Sequence, residues 1–453
     1  MIKVLQYGEG NFLRGFADVY FDILNETTGG YEVHVVKPRP GGCVDAFHRQ
    51  QNRYHVILRG MEGGKCMEQV RRINILKQVI HPFQDPDSYY ALARDPELKL
   101  IVSNTTDAGI RFQPEDSFVG FDAISFPAKL TKFLYVRFLA GLGGVYLLPV
   151  ELIENNADRL LECVESYIRL WNLPDAFRKW NREENFYCNT LVDRIVSGYP
   201  RDAATQTYLE SLIGGEDPLM TVGEPFGLWV VERKGDIERY LSAGKHGIEM
   251  ILTGDVTPYK VQKVRILNGS HTNLVATGLL LGAKTVRDCM DSEVLRPFIE
   301  RTLREELIPM TPGSEDFAES VIERFCNPYL NHQLTSIALN SISKWTARVL
   351  PTFRDYYAAN GTIPPCMTVG FSYLMALYSS VRREGGGYVA PVCGEIVELL
   401  DNPAYLDFFA DGGKSTDFMA MVSVWGEDLT QYPNFSTTVA KNIDRICKGE
   451  CLI

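Results

Sequence analysis

Lys263, Asn268 and His271 stand at offsets of zero, five and eight within residues 263–272. A lysine can act as a general acid or base once burial lowers its pKa, and an asparagine and a histidine can hold an oxygen atom beside it. These are the groups needed to transfer a proton at a carbonyl or carbinol without a metal. The block therefore predicts metal-independent acid–base chemistry.

Helical geometry permits the three side chains to share one broad face. At about 100° per residue, Lys263 and His271 differ by about 80° and Lys263 and Asn268 by about 140°. The same residues allow a structural interpretation, in which Asn268 and Gly269 form a turn, His271 is a satisfied core histidine and Lys263 snorkels from a helix end. Spacing alone leaves both interpretations open.

The composition indicates an ordinary globular protein with more than one domain. The chain has 453 residues, of which 45% are hydrophobic and 23% charged, enough for two or three domains with substantial cores. A net charge of -11 argues against a surface for nucleic acid or anionic membranes. An anionic metabolite would therefore need a local basic pocket.

The cysteines and the apolar segments bear on metal binding and location. The ten cysteines form no C-x-x-C pair and no Cys/His cluster with zinc-ligand spacing, so we expect no metal. No run of about 20 apolar residues predicts a membrane span. Without a secretory signal, the expected location is the reducing cytoplasm.

A glycine-rich turn follows a strand-like run at the N-terminus. Residues 2–7 favour a strand, Gly8, Gly10 and Gly15 interrupt the pattern, and an amphipathic stretch continues to Leu24. Strand, glycine turn and helix form the order of a dinucleotide-binding unit, whose glycines let the backbone approach a pyrophosphate. The third glycine comes later than G-x-G-x-x-G requires, so an ordinary strand, turn and helix stays open.

Two further strands extend this prediction. Residues 31–36 lead into Lys37-Pro38-Arg39 rather than an acidic residue that could bind ribose hydroxyls, so NAD and NADP both stay open. Residues 99–103 lead into Asn104 and Thr105. Polar residues at the carboxyl end of such a strand are predicted cofactor contacts, although they could equally cap the next helix.

The pattern changes from strands to long helices along the chain. We predict an α/β fold with a Rossmann-type doubly wound sheet in a dinucleotide-binding domain, residues 1–250, and a mostly α-helical catalytic and substrate domain, residues 251–453. Active sites commonly lie in the cleft between two such domains, so a cofactor on one wall and Lys263 on the other would suit hydride transfer.

Several motifs in order resemble the long-chain polyol-type dehydrogenases, the family of mannitol dehydrogenase, fructuronate reductase and tagaturonate reductase. The resemblance covers nearly the whole chain and implies a metal-independent, NAD-dependent oxidoreductase acting on a small sugar-type substrate. Its motifs are residues 8–14, 103–106, 190–195, 263–271 and 337–344.

The family's functional residues can be placed on this sequence. The resemblance implies a catalytic Lys263, carbonyl-polarising Asn268 and Asn189, a catalytic His271 and a substrate-binding Lys344. The cofactor contacts expected at the two N-terminal loops are Gly8, Gly10, Asn11, Phe12, Arg14, Asn104 and Thr105.

One departure bears on the substrate. Polyol-specific members place an arginine eight residues before the substrate-binding lysine, and here that position is Ser336. Residues 194–202 and 324–334 resemble the tagaturonate reductase (altronate oxidoreductase) branch, which implies reduction of D-tagaturonate to D-altronate. A hexuronate carboxylate needs cations, and Lys260, one turn before Lys263, and Lys344 are the candidates.

Other functions stay open at this stage. Within the family these are a fructuronate reductase (mannonate dehydrogenase) and a neutral, mannitol-type polyol dehydrogenase, which differ in substrate stereochemistry and charge. A dinucleotide sensor without catalysis is disfavoured, because it would have no use for Lys263, Asn268 and His271. The sequence does not define the oligomeric state.

Overall fold

The computed structural model describes residues 1–41, 44–106, 108–120, 125–241 and 249–453. Cys43, one of the ten cysteines, lies outside these ranges. The chain divides into two compact units, here called unit 1 and unit 2. Unit 1 comprises Met1–Arg59 and Met67–Tyr259, and unit 2 comprises Gly60–Cys66 and Lys260–Ile453. The functional roles predicted for the two domains stay predictions.

The main sheet of unit 1 is parallel throughout, with strand order β5-β2-β1-β6-β7-β8. When only the strands of this sheet are numbered in chain order, this is the 3-2-1-4-5-6 order of a doubly wound dinucleotide fold. The order reverses between β1 and β6. The Rossmann-type prediction is therefore confirmed. The strands are β1 (Ile2–Tyr7), β2 (Tyr31–Val36), β5 (Leu76–Ile80), β6 (Leu98–Ser103), β7 (Tyr146–Pro149) and β8 (Phe186–Tyr187).

The apolar strands of this sheet are buried on both faces. Within β1, Val4 packs into one core, whereas Leu5 and Tyr7 pack into a second core on the opposite face. In β6, Val102 and Ile101 divide between the same two cores. Side chains alternate along a strand, so near-continuous apolar runs are what a sheet covered on both sides requires.

Helices and two smaller sheets complete unit 1. The smaller sheets have the orders β10-β11-β3-β4 and β13-β12-β9. Their strands are β3 (Tyr54–Glu62), β4 (Lys65–Ile73), β9 (Thr190–Asp193), β10 (Val196–Gly198), β11 (Thr221–Gly223), β12 (Leu228–Glu232) and β13 (Glu249–Thr253). The helices are α1 (Asn11–Gly15), α2 (Ala17–Thr28), α3 (Asp45–Arg49), α4 (Pro86–Ala93), α5 (Phe126–Leu139), α6 (Asn156–Leu170), α7 (Asp175–Glu184), α8 (Ala203–Ile213) and a 3₁₀ turn (Ile237–Arg239).

Unit 2 is mostly helical, as the sequence predicted, and contains one small antiparallel sheet, β14-β15-β16, in its described part. Helix α9 (Thr257–Gln262) leads into it, and a π-helix (Lys263–Asn268) continues directly into α10 (Gly269–Leu280). The other elements are α11 (Val286–Asp291), α12 (Leu295–Arg301), a second π-helix (Thr302–Leu307), α13 (Glu315–Phe325), α14 (Leu334–Ile337), α15 (Ser341–Arg348), α16 (Leu350–Asn360), α17 (Pro365–Ser379), β14 (Arg382–Glu384), β15 (Gly387–Val392), β16 (Glu395–Glu398), α18 (Pro403–Ala410), α19 (Ser415–Met419), α20 (Val422–Trp425), a 3₁₀ turn (Leu429–Gln431) and α21 (Phe435–Cys447).

The core of unit 2 is aromatic and closely packed. Trp345 of α15 is fully buried, with its ring centroid 4.5 Å from that of Phe371 in α17. Where α10 and α17 cross, Gly370 leaves no room for a side chain, because an added Cβ would lie 2.1 Å from Oδ1 of Asn273. This core fixes α10, which carries His271, and α15, which carries Lys344.

Left-handed conformations shape two short connections in unit 2. Asn340 adopts a left-handed conformation (φ 55°) between α14 and α15, so the two helices are separate. Gly385 and Gly386 form the tight turn of the β14–β15 hairpin. In the described ranges no helix is long and apolar enough to span a bilayer.

Candidate active site

Gly8 ends β1 in a conformation that requires glycine. Its φ is +129°, and an added Cβ would lie 2.8 Å from Cδ1 of Leu13 and 3.2 Å from the carbonyl oxygen of Asn104. A side chain here would therefore displace the loop that follows β6. The turn places backbone without a side chain at the point where the strand order reverses. Doubly wound sheets bind dinucleotides at that point.

Gly15 performs the packing role of the third glycine of the motif. An added Cβ would lie 2.9 Å from Cγ1 of Val196 and 3.1 Å from Cγ2 of Thr221, so α1 could not approach β10 and β11 as closely. The late third glycine, which weakened the motif in the sequence, is thus explained by the short helix α1. Packing of helix against sheet is a recognised purpose of that glycine.

A cavity of about 890 Å³ lies at the carboxyl ends of β1, β2 and β6. Its size is within the range of pockets that hold small ligands and cofactors. Six of the seven predicted cofactor contacts line it, namely Gly8, Gly10, Asn11, Phe12, Asn104 and Thr105. The remaining lining residues are Glu9, Leu13, Lys37, Pro38, Arg39, Pro40, Gly41, Thr106, Ala108, Gly109, Gln113, Ser125, Phe126 and Lys129.

Positive side chains line this cavity although the chain as a whole is acidic. Lys37 pairs with Glu9 at 2.7 Å, Lys129 donates to the carbonyl of Pro38 at 2.9 Å, and Arg39 is exposed. Cations beside a glycine turn suit a pyrophosphate. Lys129 comes from α5, far along the sequence, so no local pattern could have identified it.

The loop after β6 is held by a buried carboxylate. Glu151 accepts hydrogen bonds from the backbone amide and the hydroxyl of Thr105, each at 2.9 Å, and from the hydroxyl of Ser103 at 3.0 Å. Burial raises the pKa of Glu151. Asn104 donates to the carbonyl of Val150 at 3.2 Å. The loop is therefore fixed by side chains that follow β7.

Arg14 does not line the cavity, and its role as a cofactor contact stays a prediction. Its guanidinium donates to Asn11 and lies over the rings of Phe47 and Tyr54, 5.9 and 5.8 Å from their centroids. Burial is the main cause of the lowered pKa of Arg14. The side chain supports the loop from behind by cation–π contacts.

The π-helix places Lys263 and Asn268 closer than an α-helix would. It begins at Lys263 and ends at Asn268, and its backbone hydrogen bonds join residues five apart. Residues five apart therefore stand nearly above one another, whereas an α-helix would separate them by about 140°. Both side chains are half-buried. Such wide turns are frequent at functional sites.

Asn268 and Gly269 form no turn, which removes part of the structural interpretation. The chain passes from the π-helix straight into α10. Gly269 instead allows α15 to come close, since an added Cβ would lie 3.3 Å from the carbonyl oxygen of Arg348. The glycine thereby brings α15 against the Lys263–Asn268 block.

His271 is buried, and its Nε2 has no hydrogen-bond partner among the described residues. Its ring stacks on Phe325 at 4.3 Å and meets the ring of His332 edge-on at 5.2 Å. Burial first, and then nearby positive charges, lower the pKa of His271 well below its ordinary value, so the ring is neutral. It is not the fully satisfied core histidine of the structural interpretation.

Four basic residues surround His271, here called the basic cluster. They are His332, Arg324, Arg348 and Lys344. Lys344 donates to the carbonyl of Ile337 at 2.9 Å, which leaves two of its N–H groups. Burial, and then the charge of Arg348, lower the pKa of Lys344. Of these residues only Lys344 was predicted, because the others belong to separate segments that meet only in the fold.

Asn189 lies between β8 and β9 and makes several hydrogen bonds, and its predicted catalytic role stays a prediction. Its amide donates to Asp158 at 2.9 Å and to Glu232 at 3.0 Å, and its carbonyl oxygen accepts from the amide of Ala157 at 3.0 Å. Both N–H groups are thus engaged. The side chain thereby joins α6 to β12.

Two further predictions concern Lys260 and metal binding. Lys260 lies half-buried in α9, three residues before Lys263, and its substrate role stays a prediction. Within the described parts of the chain, no group of three or more His, Cys, Asp or Glu side chains could hold a metal ion.

The fold and these sites together define a Rossmann-type dehydrogenase. Residues 2–240 match the model of the mannitol dehydrogenase Rossmann domain, and residues 255–447 match that of the mannitol dehydrogenase C-terminal domain. The chain therefore belongs to the mannitol dehydrogenase family. At that level the expectation of an NAD-dependent oxidoreductase is confirmed.

Curated relatives and solved structures agree with this placement. The chain is 37% identical to "Altronate oxidoreductase" of Bacillus subtilis (strain 168), over 98% of this chain and 92% of the relative. It is 36% identical to the Yersinia enterocolitica protein of the same name, over 98% and 94%. The fold is similar to a substrate-free D-sorbitol dehydrogenase, with a TM-score of 0.78, 21% identity and coverage of 98% and 93%. It is also similar to Pseudomonas fluorescens mannitol 2-dehydrogenase, with a TM-score of 0.68, 20% identity and coverage of 99% and 92%.

Proposed function

We propose that this protein interconverts a hexuronate and its hexonate with NAD(H), reducing D-tagaturonate to D-altronate. The observation that carries the proposal is the π-helix of Lys263 and Asn268, which leads into α10 beside His271 and its basic cluster. The names of the relatives that share more than a third of the sequence support the same substrate.

Lys263 is the proton donor for ketone reduction. NADH, when bound, supplies the hydride to the carbonyl carbon, and the ammonium of Lys263 gives one proton to the carbonyl oxygen. The C=O bond thereby becomes a CH–OH group, and the lysine is left neutral. In the oxidation direction neutral Lys263 takes the hydroxyl proton back.

Asn268 and His271 stabilise the oxygen that carries the developing negative charge. The amide of Asn268 donates a hydrogen bond that strengthens in the transition state, and one such donor is typically worth about 10²- to 10³-fold in rate. His271 is neutral with an unpartnered Nε2, so it can accept from or donate to a substrate group without changing charge. Its role is to orient the oxygen or the lysine.

The cavity in unit 1 binds the cofactor. Gly8 and Gly10 admit the pyrophosphate to the backbone, and Asn104 and Thr105 contact it from the loop after β6. An added Cβ at Gly10 would meet nothing within 4 Å, so the backbone of Gly10 lies next to open space where the pyrophosphate can approach it. The chain's contribution is to bind and orient the dinucleotide.

The basic cluster favours a sugar acid over a neutral polyol. A hexuronate brings one carboxylate, and cations that are half-buried in an acidic protein suit an anion. Ser336 is exposed in α14, where polyol-type members carry an arginine. Fructuronate reductase and mannitol-type activities are accordingly the alternatives that the experiment must separate.

A substrate panel tests the proposal. Oxidation of NADH, and separately of NADPH, would be followed with D-tagaturonate, D-fructuronate and D-fructose at matched concentrations. The expected result is the highest kcat/KM with tagaturonate and NADH. Preference for fructuronate would move the protein to another branch of the family, and preference for fructose would refute the sugar-acid assignment.

A further inference from the structure

The guanidinium of Arg348 has no anionic partner in the part of the chain that the structure describes. It is half-buried at the last residue of α15 and makes no hydrogen bond or ion pair with a described residue. Taking a charge out of water without a partner is costly, so such groups are normally paired. A cation near a helix C-terminus is also stabilised by the helix dipole, but that interaction does not require the cation to be buried.

Arg348 stands one helical turn after Lys344 on the same helix. Side chains four residues apart are neighbours on a helix surface. Burial lowers the pKa of both groups, and the charge of Arg348 further lowers the pKa of Lys344. Two like charges are thus held together, an arrangement that an anion between them would stabilise.

The acidic residue whose charge acts on Lys344 is already engaged. Asp401 raises the pKa of Lys344 through its charge, yet its oxygens accept from the hydroxyl of Tyr378 at 2.6 Å and from the amides of Ile342 and Asn402 at 3.0 and 2.8 Å. No ion pair joins it to Lys344 or Arg348 within the described residues. The carboxylate therefore holds the start of α15 and the residues around it.

The pair also lies beside the block that holds the reacting groups. The carbonyl oxygen of Arg348 is in close contact with Gly269, the residue after Asn268, and both Arg348 and Lys344 act electrostatically on His271. A ligand anion at this pair would thus belong to a molecule that also reaches Asn268 and His271. A short sugar acid is such a molecule, because it carries a carboxylate and a ketone on one carbon chain.

We propose that Arg348, together with Lys344, binds the carboxylate of the sugar-acid substrate and thereby determines selectivity for hexuronates over neutral ketoses. The inference rests on the proposed function and deepens it. A planar guanidinium matches a carboxylate in two parallel hydrogen bonds, and the remaining N–H groups of Lys344 add further donors.

The test compares Arg348→Gln and Arg348→Lys with wild type on tagaturonate and on a neutral ketohexose. For R348Q we expect kcat/KM with tagaturonate to fall by about 10²-fold or more, mainly through KM, without a comparable loss on the neutral ketose. R348K should recover part of the loss. The matched control is R304Q, which removes an exposed arginine of unit 2 that pairs with Glu319.

Several outcomes would overturn the inference. R348Q could retain wild-type kcat/KM on tagaturonate, or it could lose activity equally on both substrates, as a purely structural arginine would. Should R348Q fail to fold in a melting experiment, R348K decides through the comparison of the two substrates, because an equal change in kcat/KM on tagaturonate and on the neutral ketose refutes carboxylate binding. A wild-type enzyme that prefers the neutral ketose refutes the proposed function itself, before any variant is made.

Discussion

At the scale of single residues, environment decides which of the predicted groups can do chemistry. Asn268 and Asn189 share one predicted role, but both N–H groups of Asn189 already donate to Asp158 and Glu232. His271 has an unpartnered nitrogen among charged neighbours. Hydrogen-bond partners from distant segments cannot be identified from spacing, so the resemblance located these residues without distinguishing their roles.

The neutral state of buried His271 makes stability depend on pH. The pKa of His271 is depressed in the folded protein. Below about pH 6.5 the unfolded chain therefore binds a proton at this histidine, whereas the folded chain does not. The contribution of the neutral ring to the free energy of unfolding is present above that pH and is lost as the pH falls toward the folded-state pKa. We expect Tm to decrease less between pH 7 and pH 5 in His271→Leu than in wild type. Parallel Tm curves for the two proteins would refute a buried neutral ring.

At the scale of elements, the sequence defined ordinary strands and helices better than their irregularities. The strand predicted at residues 31–36 is β2, and the strand predicted at residues 99–103 lies within β6. The π-helix at Lys263–Asn268 was not predicted, because helical periodicity assumes regular turns. Close contacts such as those of Gly269 with α15 form only in the folded unit, so no local pattern indicates them.

Gly15 gives a prediction at this scale. Gly15→Ala would bring a methyl group to 2.9 Å from Val196 and force α1 away from β10 and β11. Overpacking of this kind typically costs about 1–3 kcal/mol, which a lower Tm would reveal. The control is Gly10→Ala, which has an ordinary φ of −71° and no atom within 4 Å of the added Cβ. Equal Tm values for the two variants would contradict this packing role.

At the scale of the whole molecule, the proposed chemistry is divided between the two units. The cofactor cavity lies wholly in unit 1, and Lys263, Asn268, His271 and the basic cluster lie in unit 2. The doubly wound sheet was predicted from the succession of strand, glycine turn and helix together with the family resemblance, because the glycine spacing alone left an ordinary turn open. The basic cluster joins residues from α13, α15 and the segment before α14, and such an assembly is visible only in three dimensions.

This division leads to the most direct test, Lys263→Ala. Hydride transfer from NADH to tagaturonate would be measured by stopped flow, and NADH binding by fluorescence titration. The account predicts a loss of about 10²- to 10⁴-fold in transfer rate with the dissociation constant of NADH unchanged, because the cofactor cavity is untouched. The control is Lys284→Ala, which removes an exposed lysine paired with Glu395. Wild-type transfer by the Lys263→Ala variant would contradict the account.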